Sequence, residues 1–279
     1  MGRSALPGDL QSAPARPAGP LDIAKSLLEP IMINAMLLFN GLPGAVCDQI
    51  RHPNPINLIN PFHWQSLILT HGFAPILSTS NLIYSNIKRP VLQQAYGKTL
   101  EVGAGSGENI AYYNPQKIER LVCMEPYAPL RVQLEKSLDA AGLVHKTTVV
   151  PLGLELSSRP QLLAAGLEPG SFDTIVLVQV LCSVQSPKDH LEFLQSLLKP
   201  GGQILLFEHI ASKHQPARLL QNIWTPFWRS AFGGCELNRD SADWVRNLGG
   251  WEYVDIKRPA VETTASLLPH AVARFVKAK

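Results

Sequence analysis

Residues 100–107 read Leu-Glu-Val-Gly-Ala-Gly-Ser-Gly, an acid at the end of an apolar stretch with glycine then at every second position. Glycine has no Cβ, so a strand that ends in such a loop brings bare backbone close to a ligand. From Lys98 onward, short aliphatic or β-branched runs alternate with helix-like segments. That alternation indicates βαβ units and a largely parallel sheet. Strands are predicted near Thr99–Val102, Arg120–Met124, Thr147–Val150, Phe172–Val178, Gln203–Phe207, Tyr253–Lys257 and Val272–Val276. Helices are predicted over Ser106–Tyr113, Pro129–Ala141, Pro160–Ala165, Pro187–Leu198, Pro216–Ser230 and Ser241–Leu248. The run Ile175-Val176-Leu177-Val178 lacks polar alternation, as expected of a central strand covered on both faces.

The loop itself discriminates among ligands. A dinucleotide loop needs G-x-G-x-x-G, but Gly107 comes one place early and Glu108 takes the required position. No Gly-Lys-Ser/Thr follows, so it is not a nucleoside-triphosphate loop. Glu101 and Glu108 flank the glycines, and two carboxylates there repel a pyrophosphate. They suit a cationic ligand instead, and S-adenosylmethionine carries an ammonium and a sulfonium. Glu125 closes the next predicted strand, roughly 20 residues past the loop, where an acid can accept from both ribose hydroxyls. A solvated loop glutamate is the competing reading of Glu125 taken alone.

Composition narrows the class further. In 279 residues, 46% are hydrophobic and 17% charged, which suits a large soluble core. The net charge of +3 is small and the Lys and Arg residues are scattered, so no nucleic-acid partner is expected. Cys47, Cys123, Cys182 and Cys235 form no C-x-x-C pair and read as buried thiols in a reducing compartment. The histidines show no metal-ligand spacing, so no metal is expected.

Residues 1–20, rich in Pro, Ala, Gly and Ser, read as a disordered tail without the apolar centre of a secretory signal. Residues 21–97 read as a helical extension on the substrate side. Within it Leu28, Ile31, Met32, Ala35, Met36 and Phe39 share one helical face. That face reads as core or as a lid over a lipophilic substrate. A membrane-surface foot is less favoured, because the opposite face has almost no Lys or Arg. His52-Pro53-Asn54-Pro55 and Asn60-Pro61 mark residues 51–97 as short helices and loops.

Glu-Val-Gly-Ala-Gly-Ser-Gly, Met124-Glu125-Pro126 and Leu198-Lys199-Pro200-Gly201-Gly202, in that order, resemble the class I S-adenosylmethionine-dependent methyltransferases over residues 98–279. The resemblance implies a doubly wound, mostly parallel, seven-stranded α/β sheet of Rossmann-like type with an N-terminal helical extension. It implies S-adenosylmethionine as cofactor, held by Glu101, Gly103, Ala104, Gly105, Gly107, Glu125 and Pro126. By position after the third and fourth strands it adds Leu154 on the adenine ring, Glu155 on its amino group, and Gln179 and Val180 towards the methionine part. Ordinary core packing competes for Leu154 and Val180. Leu181-Cys182-Ser183-Val184, Phe207-Glu208-His209-Ile210 and Gly234-Cys235-Glu236-Leu237-Asn238-Arg239 are similar to the thiol methyltransferase branch known as methyltransferase-like protein 7. Members of that branch methylate small lipophilic thiols and sit on membranes, which implies a small lipophilic acceptor.

Methyl transfer from a sulfonium is an in-line displacement, so the enzyme mainly aligns the acceptor and excludes water. Glu208 and His209 close a strand at the ligand edge of the sheet. They read equally as catalytic groups, with His209 as base or orienter, or as residues that only bond neighbouring loops. Cys182 reads as a structural thiol. His63, Trp64, His71 and Phe73 read as acceptor-pocket wall or as core, and Trp224, Phe227 and Trp228 as a helix face against the sheet. The expected protein is a cytoplasmic small-molecule methyltransferase acting at S, N or O, with S favoured and with the oligomeric state left open. The competing class is a non-catalytic protein that binds a partner or membrane through residues 21–80.

Overall fold

The computed structural model describes residue 6, residues 10–12 and residues 14–279. In chain order the strands are β1 (Leu10–Gln11), β2 (Gly97–Val102), β3 (Ile118–Met124), β4 (Thr147–Val150), β5 (Phe172–Val178), β6 (Leu198–His209), β7 (Trp251–Pro259) and β8 (His270–Lys277). The helices are α1 (Pro20–Arg51), α2 (Pro55–Leu58), α3 (Pro61–Leu92), α4 (Ala128–Ala140), α5 (Arg159–Ala164), α6 (Lys188–Leu197), α7 (Gln215–Ala231) and α8 (Ser241–Asn247).

The sheet runs β1-β7-β8-β6-β5-β2-β3-β4. Strands β4, β3, β2, β5 and β6 are parallel, and β8 lies antiparallel between β6 and β7. Strand order reverses between β2 and β5, which opens a ligand crevice at their carboxyl ends. The alternation of side chains along each strand divides the core into two clusters. Leu100, Val122, Ile175, Leu177 and Leu206 pack with Leu191 and Leu194 of α6 and Val245 of α8. Leu121, Cys123, Val176, Leu205 and Phe207 pack on the other face with Leu92 of α3 and Leu134 of α4. Ile175, Val176 and Leu177 are fully buried, as the unalternated run of β5 predicts.

Four expectations need correction. The sheet has an eighth strand, because Leu10 and Gln11 pair antiparallel with Pro259 and Arg258. The N-terminal segment is held there by the burial of Leu6, Leu10 and Ala15. The remainder of the expected tail, residues 1–5, 7–9 and 13, lies outside the described residues. Second, residues 51–97 are not short helices and loops. The proline signals punctuate only the connection around α2, and α3 then runs unbroken to Leu92. Asn60 caps it by accepting from the N–H groups of Phe62 and His63, with Pro61 in the first turn. Third, the helix expected over Ser106–Tyr113 shrinks to one 3-10 turn at Ile110–Tyr112.

The fourth correction concerns α1. Its buried stripe is Pro30, Leu37, Gly41, Ala45 and Gln49, facing α3. The face expected to be core or lid is largely exposed, with Met32 at 67% and Phe39 at 83% of full exposure. The two helices are clasped by His71 Nε2 on Asp48 at 2.7 Å and His63 Nε2 on Gln49 Oε1 at 2.9 Å. By length and composition α1 could cross a membrane.

Candidate cofactor and acceptor cleft

A cleft of about 610 Å³ opens above the carboxyl ends of β2, β3, β4 and β5. That size suits a cofactor with a small co-substrate. Of the residues expected to hold the cofactor, Gly103, Ala104, Gly105, Glu125, Pro126, Leu154, Glu155, Gln179 and Val180 all line it. Gly103 has φ +67°, and a Cβ there would lie 2.5 Å from Val180 Cγ2. The backbone of the loop therefore lies directly against Val180, two residues past β5, and only glycine permits both features.

Glu125 organises the floor. Its Oε2 accepts the Gly105 N–H at 2.9 Å and its Oε1 accepts the Tyr127 N–H at 2.8 Å. Each carboxylate oxygen keeps a further lone pair for a ribose hydroxyl. Burial pushes the Glu125 carboxyl above its ordinary value, against those two N–H bonds. Leu154 is buried at the cleft edge, and Glu155 curls beside it, held by Ser158 Oγ–H at 3.1 Å. Gln179 adopts φ +50° at the end of β5, an uncommon conformation for a non-glycine residue. Its Oε1 accepts from Ser80 Oγ at 3.2 Å, so α3 and β5 are joined across the cleft.

Four expected site residues lie outside this lining. Glu101 is buried beneath the loop, where it accepts from Asn109 Nδ2 at 2.8 Å and Tyr113 OH at 2.7 Å. Its carboxylate thus shapes the loop's return. Gly107, at φ +84°, faces α4, where a Cβ would meet Ser137 Cβ at 2.7 Å. It allows helix packing in the way the third glycine of a dinucleotide loop does. Glu208 is fully buried, and one oxygen accepts the N–H groups of Val180 and Leu181 at 2.7 and 2.8 Å. It is a positioning residue that holds Val180 against Gly103. His209 is buried with Nε2 3.1 Å from Cys235 Sγ. Neither Glu208 nor His209 is among the cleft-lining residues, and their contacts match the reading in which they bond neighbouring loops.

Six of the lining residues absent from the expected set, Phe62, Gln65, Ser66, Leu69, Leu77 and Lys88, come from α3. With the expected Phe73 they form one wall, and Phe232 and Gly233 after α7 join it. Of residues 21–97, all that line the cleft lie in α3. Tyr127 OH bonds Thr70 Oγ1 of α3 and latches that wall to the segment just past Glu125. Of the four N-terminal residues proposed for the acceptor pocket, only Phe73 lines it; Trp64 donates to the Leu58 carbonyl at 3.0 Å. In the aromatic stripe of α7, Trp228 is buried and stacks on Phe232 at 4.2 Å, while Phe227 points to solvent. Lys88 is 2% exposed. Burial lowers its pKa from 10.5 to about 8, partly offset by Glu108 and Glu101. A single lysine amid the apolar positions of α3 was the available sequence signal for it.

The chemistry of this lining fits S-adenosylmethionine. Buried Asn109 lines the cleft with an Oδ1 that has no hydrogen-bond partner, an acceptor for an ammonium. Lys88 supplies a cation for a carboxylate, Glu125 acceptors for a diol, and Leu152 and Leu154 an apolar seat for a purine.

A methyltransferase-domain family model matches residues 80–254. The chain belongs to that family. Human thiol S-methyltransferase TMT1B is 29% identical over 227 residues, covering 77% of this chain and 89% of that protein. Among solved structures, an O-methyltransferase family protein from Burkholderia thailandensis superposes with a TM-score of 0.56 at 13% identity, over 79% of this chain and 61% of its own. The S-adenosylmethionine-dependent methyltransferase SibL gives 0.54 at 18% identity, over 93% and 74%. These structures share the fold, and the family match confirms the cofactor class expected from the glycine loop.

Proposed function

We propose that this methyltransferase transfers the methyl group of S-adenosylmethionine to the sulfur of a small lipophilic thiol. The carrying observation is the apolar wall of Leu69, Phe73, Leu77, Val184 and Phe232 beside Val180. The described lining residues include no histidine or cysteine; their titratable side chains are Tyr127, Glu108, Lys88, Glu125 and Glu155, of which the last three are assigned to the cofactor. A thiol ionises near pH 8.5 and needs little help, whereas a phenol or amide needs more. The relation to thiol S-methyltransferase TMT1B supports the same reading.

When bound, the sulfonium supplies an activated methyl carbon and a neutral thioether leaving group. The chain contributes alignment and exclusion of water. Glu125 and the Gly103–Gly105 backbone hold the nucleoside, Val180 packs against the loop, and α3 covers the cleft. Val180 and the apolar wall would align a thiol with the methyl carbon, and the thiol proton would leave to solvent.

A panel of lipophilic thiols, amines and phenols, with mass detection of the methylated product, tests this. Turnover confined to thiols is expected; turnover of phenols or amines alone sinks the sulfur reading. Absence of any turnover by protein that binds S-adenosylhomocysteine favours the non-catalytic class. Run on phosphatidylcholine vesicles in a density gradient, the same samples report flotation. The exposed Leu28, Ile31, Met32 and Phe39 face of α1 is expected to give it, bringing the enzyme to where lipophilic acceptors partition.

Lys88 adds a pH signature. We infer that its ammonium meets the cofactor's carboxylate. Free Lys88 loses its proton around pH 8. The carboxylate favours the charged form, so binding above that pH takes up a proton. Affinity for S-adenosylhomocysteine therefore falls as pH rises through about 8, by up to about tenfold per unit. Calorimetric titration of Lys88→Met against wild type isolates the effect from the ligand's own amino group. Equal slopes for both proteins would refute the pairing.

A further inference from the structure

Cys182, His209 and Cys235 stand far apart in the chain, and the fold brings them together beside the cleft rather than in it. Cys182 follows β5, His209 ends β6, and Cys235 lies in the turn after α7. Both Sγ atoms and one imidazole nitrogen lie within 4.8 Å of one another. Cys182 and His209 are buried, and Cys235 is partly so.

The cluster is held by groups other than its own members. The Glu236 N–H donates to the Cys182 carbonyl at 2.9 Å, tying the two cysteine loops directly. Buried Arg239 donates to the Leu181 and Val184 carbonyls, each at 2.6 Å. Its own carbonyl accepts the Ala211 N–H at 2.9 Å, just beyond His209. Gln221 spans the Ile210 and Leu237 carbonyls at 3.1 and 3.0 Å. The backbone segments that carry the three side chains are thus pinned to one another by buried hydrogen bonds, while His209 Nδ1 is buried without a partner. Trp228 Nε1–H donates to Cys235 Sγ at 3.3 Å, a bond that favours the thiolate.

We propose that Cys182, His209 and Cys235 bind one zinc ion, with the fourth coordination position left to water or a small ligand. Two thiolates and an imidazole are a donor set suited to tetrahedral zinc, and three protein ligands with one open position is a familiar zinc arrangement. Bonds of about 2.0–2.3 Å bring tetrahedral donors to within about 4 Å of each other, close to the separation present here. Each thiol gives its proton to solvent as its zinc–sulfur bond forms, and no electron changes hands. The site stands independently of which acceptor receives the methyl group.

The test uses full-length protein, reduced, stripped with chelator and titrated with zinc chloride or cobalt chloride. One zinc per chain is expected after gel filtration, with a thiolate-to-cobalt charge-transfer band in the cobalt form. Zinc should protect two of the four thiols from alkylation. Cys182→Ser and Cys235→Ser should lose the band and bind zinc at least about tenfold more weakly. Their S-adenosylhomocysteine binding reports an intact fold; should either variant fail to fold, thiol protection in the wild type decides alone. Reduced wild-type protein that binds S-adenosylhomocysteine but retains no zinc, or shows no thiol protection, overturns the proposal. So does a Cys182–Cys235 disulfide in the isolated protein with no zinc uptake after reduction.

Discussion

Replacing Glu125 by alanine is expected to weaken S-adenosylhomocysteine binding by about 100-fold or more, to the edge of detection by isothermal titration. Hydrogen bonds from ribose hydroxyls to this carboxylate account for about 1.5–3 kcal/mol. The rest comes from the loop itself. Alanine leaves the Gly105 and Tyr127 N–H groups without their acceptor. Each such loss in a buried setting costs about 1–3 kcal/mol, some of it relieved by water entering the cleft. The glycine loop then no longer presents its backbone at the right height, and the Tyr127 latch to α3 loosens. A combined loss near 3 kcal/mol is about 100-fold in affinity. Glu125→Gln keeps one acceptor and should fall between the two. Binding by Glu125→Ala within a few-fold of wild type, with its thermal unfolding unchanged, would remove Glu125 from the site.

Replacing Glu208 by alanine is expected to damage stability first and binding second. A carboxylate with no solvent exposure is lost, and the Val180 and Leu181 N–H groups lose their shared acceptor. Two unsatisfied buried donors cost about 2–5 kcal/mol. In a chain of this size that lowers Tm by roughly 5–15 °C, read by differential scanning calorimetry. Cofactor affinity should fall as well, because Val180 is released from its contact with Gly103. Glu208→Gln retains an oxygen that can accept both N–H groups. It should recover most of the stability, the binding and the turnover with an unshifted pH profile. A Glu208→Gln enzyme that folds and binds cofactor but does not turn over would instead restore Glu208 as a proton-transfer group.

Local chemistry decided most of the cofactor half of this protein. The glycine spacing and Glu125 just past the next strand depend on short-range backbone demands, and they survive into three dimensions at the ends of β2 and β3. Pro200-Gly201-Gly202, expected as a turn before a strand, lies instead within β6. The strands of the parallel sheet were legible for the same reason, since a doubly covered strand must be apolar on both faces. The small eighth strand was not, because two residues of pairing leave no periodic signal.

What the sequence could not decide were the questions of depth and of distant pairing. Glu101 and Glu208 read as ligand-facing acids, but which side of a strand end a side chain occupies depends on register and twist. The fold turned both beneath the cleft floor, where backbone and side-chain donors claim them. Gly107 read as ligand contact and serves helix packing, because α4 approaches only in the assembled domain. The apolar face of α1 read as core or lid, but burial requires a partner, and α3 took the opposite stripe. Cys182, His209 and Cys235 had no motif spacing at all. Their meeting is a product of three strand and helix ends converging on one point, and no local pattern encodes such a convergence. The sequence alone determined that this chain cradles S-adenosylmethionine on a bare-backbone loop. Only the tertiary structure decided which acids line the cleft, which helix walls it, and which thiols lie together beside it.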